Sequence, residues 1–137
     1  MLSGCADLYR VTRIAQYLND VKALSLATFK VFASKDPVRE GYYAYAVDGF
    51  NPWFNDVLMS GYAEAYGYDE MSRNSLNYYQ ANLNYAWAKY MKNGTLPVNL
   101  LVGWSQTAVN NKVEAMFSFA YASEYAVLAN CQRKITE

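Results

Sequence analysis

Histidine is missing altogether, and that absence removes more chemistry than any other feature of the chain. Ser-His-Asp and Cys-His systems need an imidazole to take the nucleophile's proton, so neither is available. Nor is there an imidazole shuttle to work near neutral pH. Di-iron helical bundles built on paired Glu-x-x-His motifs fall on the same ground. Cysteine is scarce too. Cys5 and Cys131 lie near opposite ends, and neither has a second cysteine at zinc-ribbon or redox spacing. There is no glycine-rich phosphate loop. The stretch holding Asp48, Gly49, Asn55 and Asp56 lacks the alternating ligand spacing of a calcium loop. The expectation is no cofactor and no bound metal.

Charge is short in a different way: twelve basic residues meet twelve acidic ones, for a net charge of zero. Phosphate backbones are held by a positive field, and the richest basic stretch is only Arg133-Lys134. Nucleic acid is therefore not expected as a partner. No apolar run reaches the roughly 18 residues that cross a bilayer. The segment Leu24 to Phe32 comes nearest, and Lys22 and Lys30 bound and break it.

What the chain does have is apolar surface and tyrosine. In 137 residues, 53% are hydrophobic and 18% charged, which suits one globular domain spanning 1–137. Tyrosine occurs fourteen times, beside much asparagine. Together they make contact surfaces that are part apolar and part hydrogen-bonding. The ordinary role of a single tyrosine is at the rim of a core with its hydroxyl in water.

Periodicity predicts an all-α fold. From Asp7 to Ser34, Val11, Ile14, Leu18 and Val21 recur at helical steps, and Asp36-Pro37 stops the run. Gly41 to Val47 is ambiguous: Tyr43, Tyr45 and Val47 alternate as in a strand, while the intervening alanines favour helix. Asn51-Pro52 is a helix start, with Phe54, Val57, Leu58, Gly61 and Ala65 on one face as far as Gly67. Asp69 or Ser72 caps the next helix, whose stripe is Leu76, Tyr79, Leu83, Ala86, Trp87 and Tyr90, closed by Asn93-Gly94. Pro97 opens a last helical region, interrupted near Gly103 and recapped by Ser105. Its buried face carries Val109, Val113, Met116, Phe117, Ala120, Val127, Leu128 and Cys131. About four principal helices with single stripes bury them only against one another. The expectation is a compact bundle with a short irregular tyrosine-rich segment between its first and second helices.

Two polar residues interrupt those stripes. Gln80 lies between Leu76 and Leu83, and Glu124 lies four residues from both Ala120 and Leu128. Each is expected to find a partner, either as a register-fixing hydrogen bond or as the anchor of a small pocket. Paired-carboxylate catalysis needs two acids facing one cleft. Asp56 and Glu64 share a helix about 80° out of phase, and Glu114 and Glu124 are similarly placed. Neither pair makes a site, so an enzyme is not expected.

Leu2-Ser3-Gly4-Cys5 resembles a bacterial lipobox, in which small residues precede the cysteine that becomes lipidated. The resemblance covers those four residues only. It implies that 1–5 are the remnant of a lipoprotein signal. With Ala6 following the cysteine, it also implies an outer-membrane or periplasmic address and membrane contact only through a lipid on Cys5. A disulfide between Cys5 and Cys131 is the competing use of the same sulfur. Two unrelated thiols, in a cytoplasmic protein, are the third.

Three functions follow in order. The first is a non-catalytic protein-binding module of the bacterial envelope, of inhibitor, immunity or assembly-factor type, docking one partner through Tyr42, Tyr43, Tyr45, Trp53, Tyr62, Tyr66 and Tyr68. The second is a small-molecule or glycan-binding bundle with a pocket framed by Gln80, Trp87, Trp104 and Glu124. The third is a carboxylate-dependent hydrolase using Glu64, Glu114 and Glu124.

Overall fold

The helical periodicity that begins the chain is cut at Arg13. In the computed structural model, which describes residues 1–47, 50–104 and 115–136 with side chains as far as Gln132, α1 (Leu2–Thr12) ends there and α2 (Ala15–Phe32) begins. Arg13 takes the left-handed conformation with φ 59°, and its N–H donates to the Tyr9 carbonyl. The Thr12 hydroxyl donates to Leu8 O at 2.7 Å and accepts from the Ile14 N–H at 3.3 Å. Such local side-chain bonds give the backbone an alternative to the helical ladder. The Arg13 guanidinium lies over the Tyr9 and Tyr68 rings, 5.6 and 6.0 Å from their centroids, which holds the corner. The expected face from Val11 to Val21 therefore does not exist as one stripe. Val11 and Ile14 are 79% and 51% exposed, and the core takes Leu2 and Ala6 from α1 and Val21 from α2.

The far end of that segment also departs from helix. Ala33–Lys35 is a strand, β1, paired antiparallel with β2 (Tyr43–Tyr45) in the register Ala33↔Tyr45, Ser34↔Ala44 and Lys35↔Tyr43. The ambiguous tyrosine segment is thus extended. Its partner comes from residues with no strand pattern of their own. The hairpin closes on Asp36, whose carboxylate accepts from the Val38 and Arg39 N–H groups at 2.7 and 2.8 Å, as aspartate does in turns.

α3 (Pro52–Ala65) starts where expected: Asn51 Oδ1 accepts from the Trp53 N–H at 3.1 Å, with Pro52 in the first turn. α4 (Glu70–Tyr90) is capped by Asp69 rather than Ser72. One oxygen of Asp69 accepts from both the backbone N–H and the hydroxyl of Ser72, each at 2.7 Å. Asn93-Gly94 does not close α4. Both are left-handed, but they form a tight turn in which Lys92 and Thr95 exchange two 3.0 Å backbone hydrogen bonds.

From Leu96 to Trp104 the chain is not helical, contrary to the reading of Pro97 as a helix start. Leu96, Val98 and Leu100 are buried, and the Pro97 carbonyl is satisfied by the Tyr121 hydroxyl at 2.6 Å instead of a helical N–H. α5 runs Ala115–Thr136. Ser105, Val109 and Val113 lie outside the described residues.

The described residues hold five helices and a two-stranded sheet, where the sequence suggests about four helices, because the first is divided. α3 packs on α1, α4 and α5 and occupies the middle. The core is built on tyrosine. Tyr45 stacks on Tyr79 with centroids 5.2 Å apart and meets Tyr62 at 5.8 Å, among Met59, Leu76, Leu83 and Leu128. Each hydroxyl has a partner: Tyr45 donates to Ser75 O at 2.9 Å, and Tyr62 pairs with the Thr28 hydroxyl at 3.0 Å. Satisfied in that way, a tyrosine packs as a large hydrophobe.

Candidate functional site

The seven residues expected to meet a partner do not form one surface. Tyr45 and Tyr62 are wholly buried, so both are core residues and neither offers a contact. Tyr42 faces Tyr85, its ring 4.8 Å from the Arg39 guanidinium. That guanidinium also covers Tyr85 at 3.8 Å, pairs with Asp36 and donates to Leu101 O at 3.2 Å. It fastens the hairpin to α4 and to the irregular segment. Burial pushes the Asp36 carboxyl up, but the N–H groups of Arg39 and Val38 and the Arg39 charge outweigh it and hold the carboxyl below its usual value. Tyr43 packs on Phe29 and Tyr78. Tyr66 and Tyr68 stand apart at the α3–α4 corner, in a cleft of about 390 Å³ with Arg10, Glu64 and Arg73. Trp53, 48% exposed, is left near the start of α3.

The structure brings something else together on α3, beginning one residue past Trp53. α3 buries Asn55, Met59, Tyr62 and Ala65, a face rotated from the expected one, and turns Phe54 and Val57 outward. They are 44% and 61% exposed. Both line a groove of about 400 Å³ whose walls include Leu24, Phe32, Val47 and Leu58. The apolar stripe read from the sequence puts Phe54 and Val57 inside. Asn55 is buried in their place and acts on the buried Tyr79 hydroxyl.

The four proposed pocket residues are also dispersed. Gln80 is spent on Gln132, with Oε1 accepting at 2.9 Å. Trp104 is fixed by donating Nε1–H to Tyr90 O at 2.6 Å. Trp87 alone lines a cleft, about 460 Å³, with Asn84 and Tyr125, whose ring it meets edge-on at 5.9 Å. Glu124 is wholly buried beneath α3 and α4.

Glu124 has the hydrogen-bond partner that its place on the apolar stripe predicts, and it belongs to a wider polar nest with Asn55 and Asp56. Its Oε1 accepts from the Tyr79 hydroxyl at 3.1 Å, while Oε2 has no hydrogen-bond partner. Asp56 Oδ1 and Asn55 Oδ1, on the facing turn of α3, have none either. Asp56 bonds Ser123, and its charge acts on Glu124. Burial pushes the Glu124 carboxyl well above the usual carboxylate range. The Tyr79 hydrogen bond opposes this and the Asp56 charge adds to it. Burial raises Asp56 as well, against the bond from Ser123. The acid whose charge acts on Glu124 is thus on α3, not on its own helix. No helical phase relation on either helix signals such a pair. Glu64 is exposed, 4.0 Å from Arg10, and Glu114 lies outside the described residues. Among the described residues no group of three or more acidic, sulfur or imidazole side chains is placed to hold a metal.

Cys5 and Cys131 are not joined by a disulfide. Cys5 sits within α1, half-buried against the core. Leu2, three residues before it, packs over Gly61, with Cδ2 3.6 Å from where a β-carbon on Gly61 would lie. Removal of residues 1–4 would strip that contact from the core. No helix among the described residues is long and apolar enough to cross a membrane. No protein-family model matches the chain, and neither the curated proteins nor the solved structures contain a significant match.

Proposed function

We propose that this protein is a non-catalytic protein-binding module, and that it docks one protein partner in the groove between α2 and α3. The single observation that carries this is the outward turn of Phe54 and Val57 onto the lip of an apolar groove; Trp53, exposed one residue before Phe54, lies outside its lining. Contiguous exposed apolar surface rimmed by polar residues is typical of interaction sites. Full burial of such a side chain is worth about 1.5–3 kcal/mol, and Phe54 and Val57 have roughly half of that left to gain. The groove suits a partner segment presenting apolar side chains at regular spacing, such as one face of an amphipathic helix.

The missing imidazole and the burial of Glu124 support a non-catalytic reading. An envelope location rests on the lipobox-like start alone, and the place of Leu2 in the core weighs against processing there. Capture from a lysate of the source organism, with the wild-type chain and Val57→Asp as parallel baits, tests the proposal. One stoichiometric protein held by the wild type and lost from the variant supports it. Equal recovery on both baits contradicts the site.

The cleft walled by Trp87, Tyr125 and Asn84 favours a second reading, a small-molecule or glycan site with an aromatic wall and one amide. A ligand there raises the melting temperature by linkage, and Trp87→Ala abolishes the rise. A ligand screen that moves no melting temperature removes this reading.

A further inference from the structure

Zero net charge hides an uneven distribution. Of the twelve basic and twelve acidic side chains, residues 1–35 hold five and two: Arg10, Arg13, Lys22, Lys30 and Lys35 against Asp7 and Asp20. That stretch is net +3 and the remainder net −3. Such an asymmetry points to an anionic partner for one part of the chain. Both acids of the stretch are engaged locally, Asp7 with Arg10 at 2.7 Å and Asp20 with the Gln16 amide at 2.8 Å. Lys22 and Lys30 are exposed and pair with no acid among the described residues. Leu26, 41% exposed, stands between them at four-residue steps, so the three share one outward face of α2. Ala23 and Ala27 beside them are exposed as well.

The α1–α2 corner adds aliphatic bulk to this cationic stretch. Leu8, Val11 and Ile14 recur every three residues, and all three are exposed, Val11 most of all. Exposed singly, such side chains are ordinary, but three at one corner beside Arg13 make a patch. Ile14 is also the N-cap of α2, where it supplies no side-chain hydrogen bond. Serine or asparagine there would stabilise the helix, so the needs of the fold do not account for an isoleucine.

We propose that the α1–α2 hairpin is a membrane-surface face that rests on a bilayer carrying anionic headgroups. Val11 and Ile14 enter the boundary of the acyl chains, while Lys22 and Lys30 reach headgroup phosphates on stems laid along the apolar surface. Lys22 follows Ile14 by about 12 Å of helix, close enough for both to meet one leaflet. Lysine is a point charge on a flexible stem, which suits a fluid array of headgroups; a fixed carboxylate on a protein favours the forked arginine. The contact needs no lipid on Cys5. It is also separate from the groove, whose α2 wall is Leu24 and Phe32.

Flotation of the full chain with vesicles tests the proposal, comparing phosphatidylglycerol mixed into phosphatidylcholine with phosphatidylcholine alone. At about 0.1 M salt the protein floats with the anionic vesicles and not with the zwitterionic ones, and about 1 M salt releases most of it. Lys22→Gln with Lys30→Gln weakens binding at least about tenfold, at roughly fivefold for each lysine. Val11→Gln with Ile14→Ser weakens it by a similar factor, with a melting temperature unchanged or raised because the serine caps α2. Val57→Asp, on the groove, leaves flotation as in the wild type. Equal flotation with both vesicle types, none with either, or flotation unmoved by either double variant overturns the proposal. Binding to polyglutamate in place of anionic vesicles assigns the face to an acidic protein and overturns it as well.

Discussion

Buried tyrosine hydroxyls differ in what their loss exposes. Tyr45 donates to a backbone carbonyl, Ser75 O, whereas Tyr79 donates to the Glu124 carboxyl at the centre of the nest. Removing a donor from a buried neutral acceptor costs about 1–3 kcal/mol, and more where the acceptor is a charged group. Tyr79→Phe is the more damaging change, because Glu124 Oε2 already has no partner and the loss leaves the whole buried carboxyl without a hydrogen bond, and Tyr45→Phe falls at the low end of that range. Chemical denaturation of both variants at one pH checks the order. Gly103 is a second residue-scale case. Its φ is +74°, and a β-carbon there meets the Tyr90 ring at 2.7 Å. Gly103→Ala loses about 1–3 kcal/mol through backbone strain and displacement of that ring. Little of this could be read from residue types. Tyrosine counts suggest an interface, but a tyrosine with a satisfied hydroxyl is a core residue. The satisfying groups lie 30 and 45 positions away from Tyr45 and Tyr79.

At the scale of elements, what is local was legible. Asn51-Pro52 and Asp69 mark the starts of α3 and α4 because a cap is made within three residues of itself. Each cap contributes about 0.5–2 kcal/mol. Asp69→Ala sits at the upper end, since one buried oxygen serves two Ser72 donors, and Asn51→Ala sits lower. Melting of the two variants compares them. What depends on tertiary partners was not legible. The α1–α2 corner uses an arginine in a left-handed conformation, held by two rings, where glycine is the usual signal. β1 has no strand pattern and exists because β2 pairs with it. The Asp36 turn that joins them also responds to pH. Its carboxyl is held below the ordinary value, so its contribution is present above the unfolded pKa and lost as pH falls through the folded one. Asp36→Asn weakens the hairpin at neutral pH and removes that acid-side loss, which amide exchange across Ala33–Tyr45 measures.

For the whole molecule, the predominantly helical class followed from periodicity, while the surface it presents did not. Phe54 and Val57 were assigned to the core by hydrophobicity. The core instead took Asn55 and used it beside Tyr79 and Glu124. That exchange frees the apolar lip of the α2–α3 groove. Because Val57 is mostly exposed, Val57→Asp leaves the unfolding free energy within about 0.5 kcal/mol of the wild type while it weakens partner binding at least about tenfold. Proof that the protein works through this groove comes most directly from amide hydrogen exchange of the full chain, alone and with its captured partner. Protection concentrated in α2 and in the first turns of α3, including Trp53, Phe54 and Val57, is the predicted result. Protection confined to the Tyr42–Tyr43 hairpin or to the Tyr66–Tyr68 corner, with α2 and α3 unchanged, contradicts it.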